Sequence, residues 1–176
     1  EIYNGTVVIT VTGAATLSTG AVSLDSKGGA ILFSNTLAGG GQDLTIAAGT
    51  GDVTFTGAVG GTPLGAITIN SAKDVTASST ITATSLTQIG TGTATFNGAI
   101  TTSGGAVSLR SDETIYIDAG SGDIDGAYTL DGNTITLLHV NTAGISAELL
   151  LGSLVRFVNL DADGKSGGVS ARFKRD

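Results

Sequence analysis

The sequence predicts an all-β chain wound as a right-handed parallel β-helix, a β-solenoid, and three observations carry that expectation. A short motif with alternating apolar residues recurs about every 21 residues. Glycine (28) and threonine (27) dominate, with one proline and no Cys, Met or Trp. Charge is scarce, at 13% of 176 residues. Glycine and the β-branched threonine are poor helix formers. Mean hydropathy is +0.32, yet no apolar run approaches the roughly 18–20 residues of a membrane helix. Low charge with 40% apolar residues argues against disorder, and collagen is excluded because glycine keeps no third-residue period.

The first family of strands runs Ile9-Thr10-Val11, Ile31-Leu32-Phe33, Val53-Thr54-Phe55, Val75-Thr76-Ala77, Ala94-Thr95-Phe96 and Ile115-Tyr116-Ile117. Each alternates with period two, so its outer residues face one side and the middle residue the other. Two inward columns follow: Ile9, Ile31, Val53, Val75, Ala94, Ile115, and the core ladder Val11, Phe33, Phe55, Ala77, Phe96, Ile117. The ladder positions are spaced 22, 22, 22, 19 and 21 residues apart.

A second family lies between the copies: Ala21-Val22-Ser23-Leu24, Asp43-Leu44-Thr45-Ile46, Ala66-Ile67-Thr68-Ile69 and Ala106-Val107-Ser108-Leu109. Its missing member is expected at Ala83-Thr84-Ser85-Leu86. A third, short set, Leu37, Val59, Ile81 and Ile100, follows a Gly, Asn or Ser corner. Three short strands per turn, joined by such bends, make one coil of about 21 residues, and the chain has room for seven or eight coils. Glycine serves the corners by reaching positive φ, and Thr and Ser suit solvent-facing strand positions. A β-sandwich is the alternative, but sandwiches do not keep six aligned copies at near-constant spacing.

Regularity fades after Leu109. Asp112 to Asp131 gathers six acids, and Ile124–Tyr128 and Asn133–Leu138 read as divergent coils. Threonine stops at Thr142, and Ala147–Val158 is the most apolar segment, a terminal strand or a short helix. Residues 1–142 are therefore assigned to solenoid coils and 143–176 to a C-terminal cap or docking segment. A solenoid end exposes a whole unpaired coil, which invites edge pairing unless covered.

Gly51-Asp52-Val53-Thr54-Phe55-Thr56-Gly57-Ala58-Val59 and Gly104-Gly105-Ala106-Val107-Ser108-Leu109 resemble repeats of large bacterial surface and secreted proteins, the filamentous-haemagglutinin-like adhesins. The resemblance spans roughly residues 7–137. It implies a right-handed parallel β-helix with an extracellular structural or adhesive role, and it brings no catalytic residues. The Asn-Pro secretion motif of the two-partner exoproteins is absent, since the single proline is Pro63 in Thr62-Pro63-Leu64. The chain thus does not resemble their secretion domain.

Composition narrows the function classes further. A net charge of −7 and a pI near 4.4 disfavour a nucleic-acid surface. The absence of cysteine removes disulfide and thiol chemistry and fits exported bacterial proteins. No signal peptide is recognised, so the sequence reads as a mature protein or an excised segment. Five of the eight basic residues, Arg156, Lys165, Arg172, Lys174 and Arg175, lie beyond the acid-rich stretch, a split that favours head-to-tail self-association through the solenoid ends.

Candidate sites are few. His139 has no Ser or Asp partner that spacing nominates, and it reads as a packed or rim histidine. A carbohydrate-active β-helix enzyme would draw on Asp118, Asp123, Asp125 and Asp131 with Arg110 as the nearby cation. For Ca2+, Gly39–Ile46 looks like a nonapeptide calcium repeat without tandem copies, and Asp161 and Asp163 open a loop that lacks the later bidentate Glu. Both read more simply as solvated turns. Asn4-Gly5-Thr6 matches a glycosylation sequon. Ice binding requires a regular Thr-x-Thr face; the outward pairs are Thr10/Thr12, Leu32/Ser34, Thr54/Thr56, Thr76/Ser78, Thr95/Asn97 and Tyr116/Asp118, of which two qualify. The expected function is a stalk, fibre subunit or adhesin segment at a bacterial surface. It needs no cofactor, catalyses no reaction and inserts in no membrane, and host-cell or glycan surfaces are candidate partners.

Overall fold

The computed structural model describes residues 8–118 apart from 19 and 104, with side chains through Ile117. It further gives the backbone of Ala127–Asp131, Thr134–Leu138, Ser146–Leu149, Leu154–Val158 and Ser170–Phe173, with the side chain of Leu130. Every described element is a strand, and all strand pairs are parallel and join equivalent positions of successive turns. The fold is a parallel β-solenoid. Its first sheet stacks eight strands: Ile9–Val11, Ile31–Phe33, Val53–Phe55, Val75–Ala77, Ala94–Phe96, Thr114–Asp118, Thr134–Leu138 and Leu154–Val158.

The registers align the inward columns residue for residue. Ile9 pairs with Ile31, Ile31 with Val53, Val53 with Val75, Val75 with Ala94, and Ala94 with Ile115. Val11, Phe33, Phe55, Ala77, Phe96 and Ile117 run beside them in the same order. Five turns separate Ile9 from Ile115, and Ile135 and Val155 carry the column onward. Phe33 and Phe55 stack with ring centroids 5.1 Å apart and planes 10° apart. Such a pair contributes about 1 kcal/mol beyond the area it buries.

The second sheet holds the other two sides of each coil. Its short side aligns Ala15, Leu37, Val59, Ile81 and Ile100. Its long side aligns Val22, Leu44, Ile67, Leu86 and Val107. In two turns the sides fuse into one continuous strand, Val59–Ser71 and Ile81–Gly90.

One expected position needs correction. The in-register member of the second family is Ser85-Leu86-Thr87-Gln88: Leu86 pairs with Ile67 and Val107, and Gln88 with Ile69 and Leu109. Ala83 belongs to the short side, opposite Leu64 and Thr102. The displacement is two residues, which preserves inside–outside alternation, so the pattern alone could not detect it.

The corners explain the displacement. From inner column to short side each turn spends six residues: Ile9 to Ala15, Ile31 to Leu37, Val53 to Val59, Val75 to Ile81 and Ala94 to Ile100. From short to long side the count is seven, seven, eight, five and seven: Ala15 to Val22, Leu37 to Leu44, Val59 to Ile67, Ile81 to Leu86 and Ile100 to Val107. The third turn spends its extra residues in the segment Gly60–Pro63, where the register jumps from Val59↔Ile81 to Leu64↔Ala83. Gly60 has φ +89, and a Cβ there would overlap the Thr82 carbonyl.

The described strands within 143–176 continue the same two sheets. Leu154–Val158 pairs with Thr134–Leu138, Ser146–Leu149 with Ala127–Asp131, and Ser170–Phe173 with Ser146–Leu149, all parallel. The apolar stretch at 147–158 thus contributes strands to both sheets, with no helix among its described residues.

Candidate functional site

Two surface features and one corner system could carry function. The first surface feature is an outward column on the long side of the second sheet. Ser23 pairs with Thr45, Thr45 with Thr68, Thr68 with Thr87, and Thr87 with Ser108. Thr129 holds the next register position. Strand neighbours lie about 4.8 Å apart, so hydroxyls recur at that interval along the axis. The repeat aligns Ser23, Thr45, Thr68 and Ser108 in the sequence, and the register adds Thr87, two residues beyond the expected Ser85.

The second is the outward face of the first sheet, the one weighed for ice binding. Its middle positions are Thr10, Leu32, Thr54, Thr76, Thr95 and Tyr116, in register. The second member of five of the six expected pairs, Thr12, Ser34, Thr56, Ser78 and Asn97, is exposed and lies just past its strand, while Asp118 closes the strand Thr114–Asp118. The backbone N–H of Ser34, Thr56, Ser78 and Asn97 still donates to the preceding turn, at 2.8–2.9 Å. Leu32 and Tyr116 interrupt the hydroxyls here, whereas nothing interrupts them on the second sheet from Ser23 to Ser108.

At the corners, carboxylates tie one turn to the next. Asp43 Oδ1 accepts from the Ala66 N–H at 2.7 Å, and Asp74 Oδ1 accepts from the Thr93 N–H at 2.7 Å. Each donating residue follows a glycine, Gly65 or Gly92, where a Cβ would overlap the same carboxylate oxygen. An acid on one turn and Gly-X on the next therefore form a repeated corner clasp. Asp52 accepts from the Asp74 N–H at 3.3 Å, and Thr93 Oγ1 donates to Glu113 Oε2 at 3.3 Å. The Thr93 N–H, and then the Lys73 ammonium 3.1 Å from Asp74 Oδ2, hold the Asp74 carboxyl below its ordinary range against the opposing effect of burial. Lys73 is raised in turn, chiefly by Asp74, with Asp52 and Glu113 adding to it.

This use of carboxylates bears on the calcium candidates. Within Gly39–Ile46, Gly40 and Gly41 have φ of +59 and +81, Gly41 N–H donates to the Pro63 carbonyl at 2.8 Å, and the Asp43 carboxylate is engaged by backbone. It is a corner turn. Among the described residues no three His, Asp or Glu side chains converge as metal ligands. Asp161, Asp163, His139, Asp123 and Asp125 lie outside the described residues, as does the sequon at Asn4. Asp118 and Asp131 are placed by backbone alone, Asp118 opposite Leu138 and Asp131 opposite Arg110. No described helix is long and apolar enough to cross a membrane.

Comparison with models of protein families, with curated proteins and with solved structures finds no match to this chain.

Proposed function

We propose that this β-solenoid is an extracellular structural segment of a bacterial surface or secreted protein: a stalk, fibre subunit or adhesin segment of the filamentous-haemagglutinin type. The observation that carries the reading is the unbroken in-register stacking of coils, in which Ile9, Ile31, Val53, Val75, Ala94 and Ile115 form one inward column through parallel backbone pairing. Such stacking gives rigidity and reach along one axis, and coils of separate chains that stack in the same way lengthen the rod head to tail. The role needs reach and rigidity and assigns the chain no reaction.

Electron microscopy and light scattering across a concentration series test the reading. Rods that lengthen with concentration are the expected result. Monodisperse monomers at every concentration and salt would overturn it.

A second reading, ice binding, is supported by the hydroxyl column Ser23–Thr45–Thr68–Thr87–Ser108 on the second sheet. It predicts thermal hysteresis that Thr68→Tyr abolishes, and a wild-type protein without hysteresis removes it.

A further inference from the structure

The exposed corner of the fifth turn carries a reactive pair that neither the stacked columns nor the clasps use. Asn97 and Gly98 follow the strand Ala94–Phe96. Among the described residues Asn97 is the one asparagine with a glycine after it, since Asn35 precedes Thr36 and Asn70 precedes Ser71. In any asparagine, the backbone nitrogen of the next residue can close a five-membered ring on the side-chain carbonyl carbon, Cγ. A side chain on that next residue crowds the nitrogen, a β-branched one most of all. Glycine leaves it open and keeps the backbone freedom that ring closure uses.

The stacking itself favours this glycine. A Cβ at Gly98 would lie 2.5 Å from the Ser79 carbonyl carbon and 2.7 Å from its oxygen, so a side chain there would have to displace backbone. The Gly98 N–H has no hydrogen-bond partner among the described residues. The Asn97 N–H donates to the Ala77 carbonyl at 2.8 Å and anchors the other side of the ring. Asn97 is exposed, which gives water access to its amide and lets ammonia leave. The two other described asparagines lack this setting. Asn35 Oδ1 accepts from the Thr36 N–H at 2.8 Å, so that nitrogen is engaged and belongs to a β-branched residue, and Asn70 lies inside the strand Val59–Ser71.

We propose that Asn97–Gly98 is a site of spontaneous deamidation, where the solenoid converts a neutral amide into a carboxylate with solvent water as the only co-reactant. The Gly98 nitrogen attacks Asn97 Cγ. The N–Cγ bond forms, the Cγ–Nδ2 bond breaks, and Nδ2 leaves as ammonia with the proton that Gly98 gives up. Water then opens the cyclic imide. Cleavage at Cγ yields aspartate, and cleavage at the main-chain carbonyl of residue 97 yields isoaspartate, whose backbone is longer by one carbon. Aspartate preserves the six-residue step from Ala94 to Ile100, whereas isoaspartate lengthens a corner that is constant in every described turn.

Mass spectrometry of the folded full chain, incubated at neutral pH beside a urea-unfolded sample, tests the proposal. Cleavage after Lys and Arg releases residues 74–110, in which Asn97 is the one asparagine, and residues 28–73, which hold Asn35 and Asn70. In the folded chain the first peptide is expected to gain one mass unit, located at position 97 by fragmentation, while the second keeps its mass. Asn97→Ser, which installs the residue found at the equivalent positions Ser34 and Ser78, is expected to abolish the gain. Asn97 still an amide in the folded chain when the unfolded chain has converted overturns the proposal, as does a gain that persists in the variant. Because the folded wild type alone decides the first outcome, failure of the variant to fold leaves the test intact.

Discussion

Between Ile9 and Val75 each turn takes 22 residues, and its core includes Phe33 and Phe55 in face-to-face contact. Between Val75 and Ala94 the turn takes 19, its ladder position holds Ala77, and a glutamine enters an apolar column. Both lengths satisfy the same two sheets, because most of the difference falls at one corner: the step from short to long side shortens from seven or eight residues to five, while the step from the long side back to the first sheet is nine, nine, eight and eight. The six-residue corner after the first sheet does not change, and there glycine packs directly on the backbone of the preceding turn. A Cβ at Gly57 would meet the Asn35 carbonyl carbon at 2.5 Å, and one at Gly98 the Ser79 carbonyl carbon at 2.5 Å. The corner between short and long sides projects outward in the third turn as Gly60–Pro63, with Gly61, Thr62 and Pro63 exposed, and tolerates changes of length. In this solenoid a tight corner fixes register and a loose one absorbs variation.

The largest expected effect tests the aromatic core of the regular turns. Phe55→Ala is expected to cost about 4 kcal/mol in denaturant unfolding, since it removes a 2% exposed ring and its stacked partner's contact. A cost near zero would mean that the regular turns depend on the aromatic ladder no more than the turn built on Ala77. Next in size is the tight corner. Gly57→Ala is expected to destabilise by about 2 kcal/mol, because the new methyl must displace backbone. Gly13→Ala serves as the control: nothing lies within 4 Å of its Cβ, and the expected change is under about 0.5 kcal/mol.

The corner clasp gives a smaller, pH-dependent effect. Asp74→Asn is expected to cost about 1 kcal/mol at neutral pH through weakening of the charged acceptor for the Thr93 N–H. The folded state holds the Asp74 carboxyl below its ordinary value, so its contribution is complete above about pH 4 and is lost as pH falls through the depressed value. Wild type and variant should therefore converge in thermal midpoint on acidification; a gap that persists at the lowest pH would remove the clasp. Smallest of all, Lys27→Ala removes an exposed ion pair with Asp25, and no resolvable change in midpoint is expected.

Much of this architecture was legible in the sequence because the solenoid repeats its chemistry. Val53-Thr54-Phe55 and Ala94-Thr95-Phe96 each alternate apolar and polar residues, and their columns align as the spacing predicts. Where corner lengths change, spacing ceases to be a guide. Gln88 shares its column with Ile69 and Leu109, yet no periodic reading selects it over Leu86, since both point inward. In the hydroxyl column from Ser23 to Ser108, Thr87 was missed for the same reason. The clasp of Asp74 on Thr93 joins residues 19 apart that no motif links.

The sequence by itself determined the strand class, the inward columns of the first sheet and the places where glycine turns the chain. These follow from alternation and backbone freedom, which are local. Tertiary structure alone decided the register of the short fourth turn on the second sheet, which carboxylates reach the next coil, and that an amide lies in the core. These depend on corner length, and corner length becomes register only when successive turns are stacked.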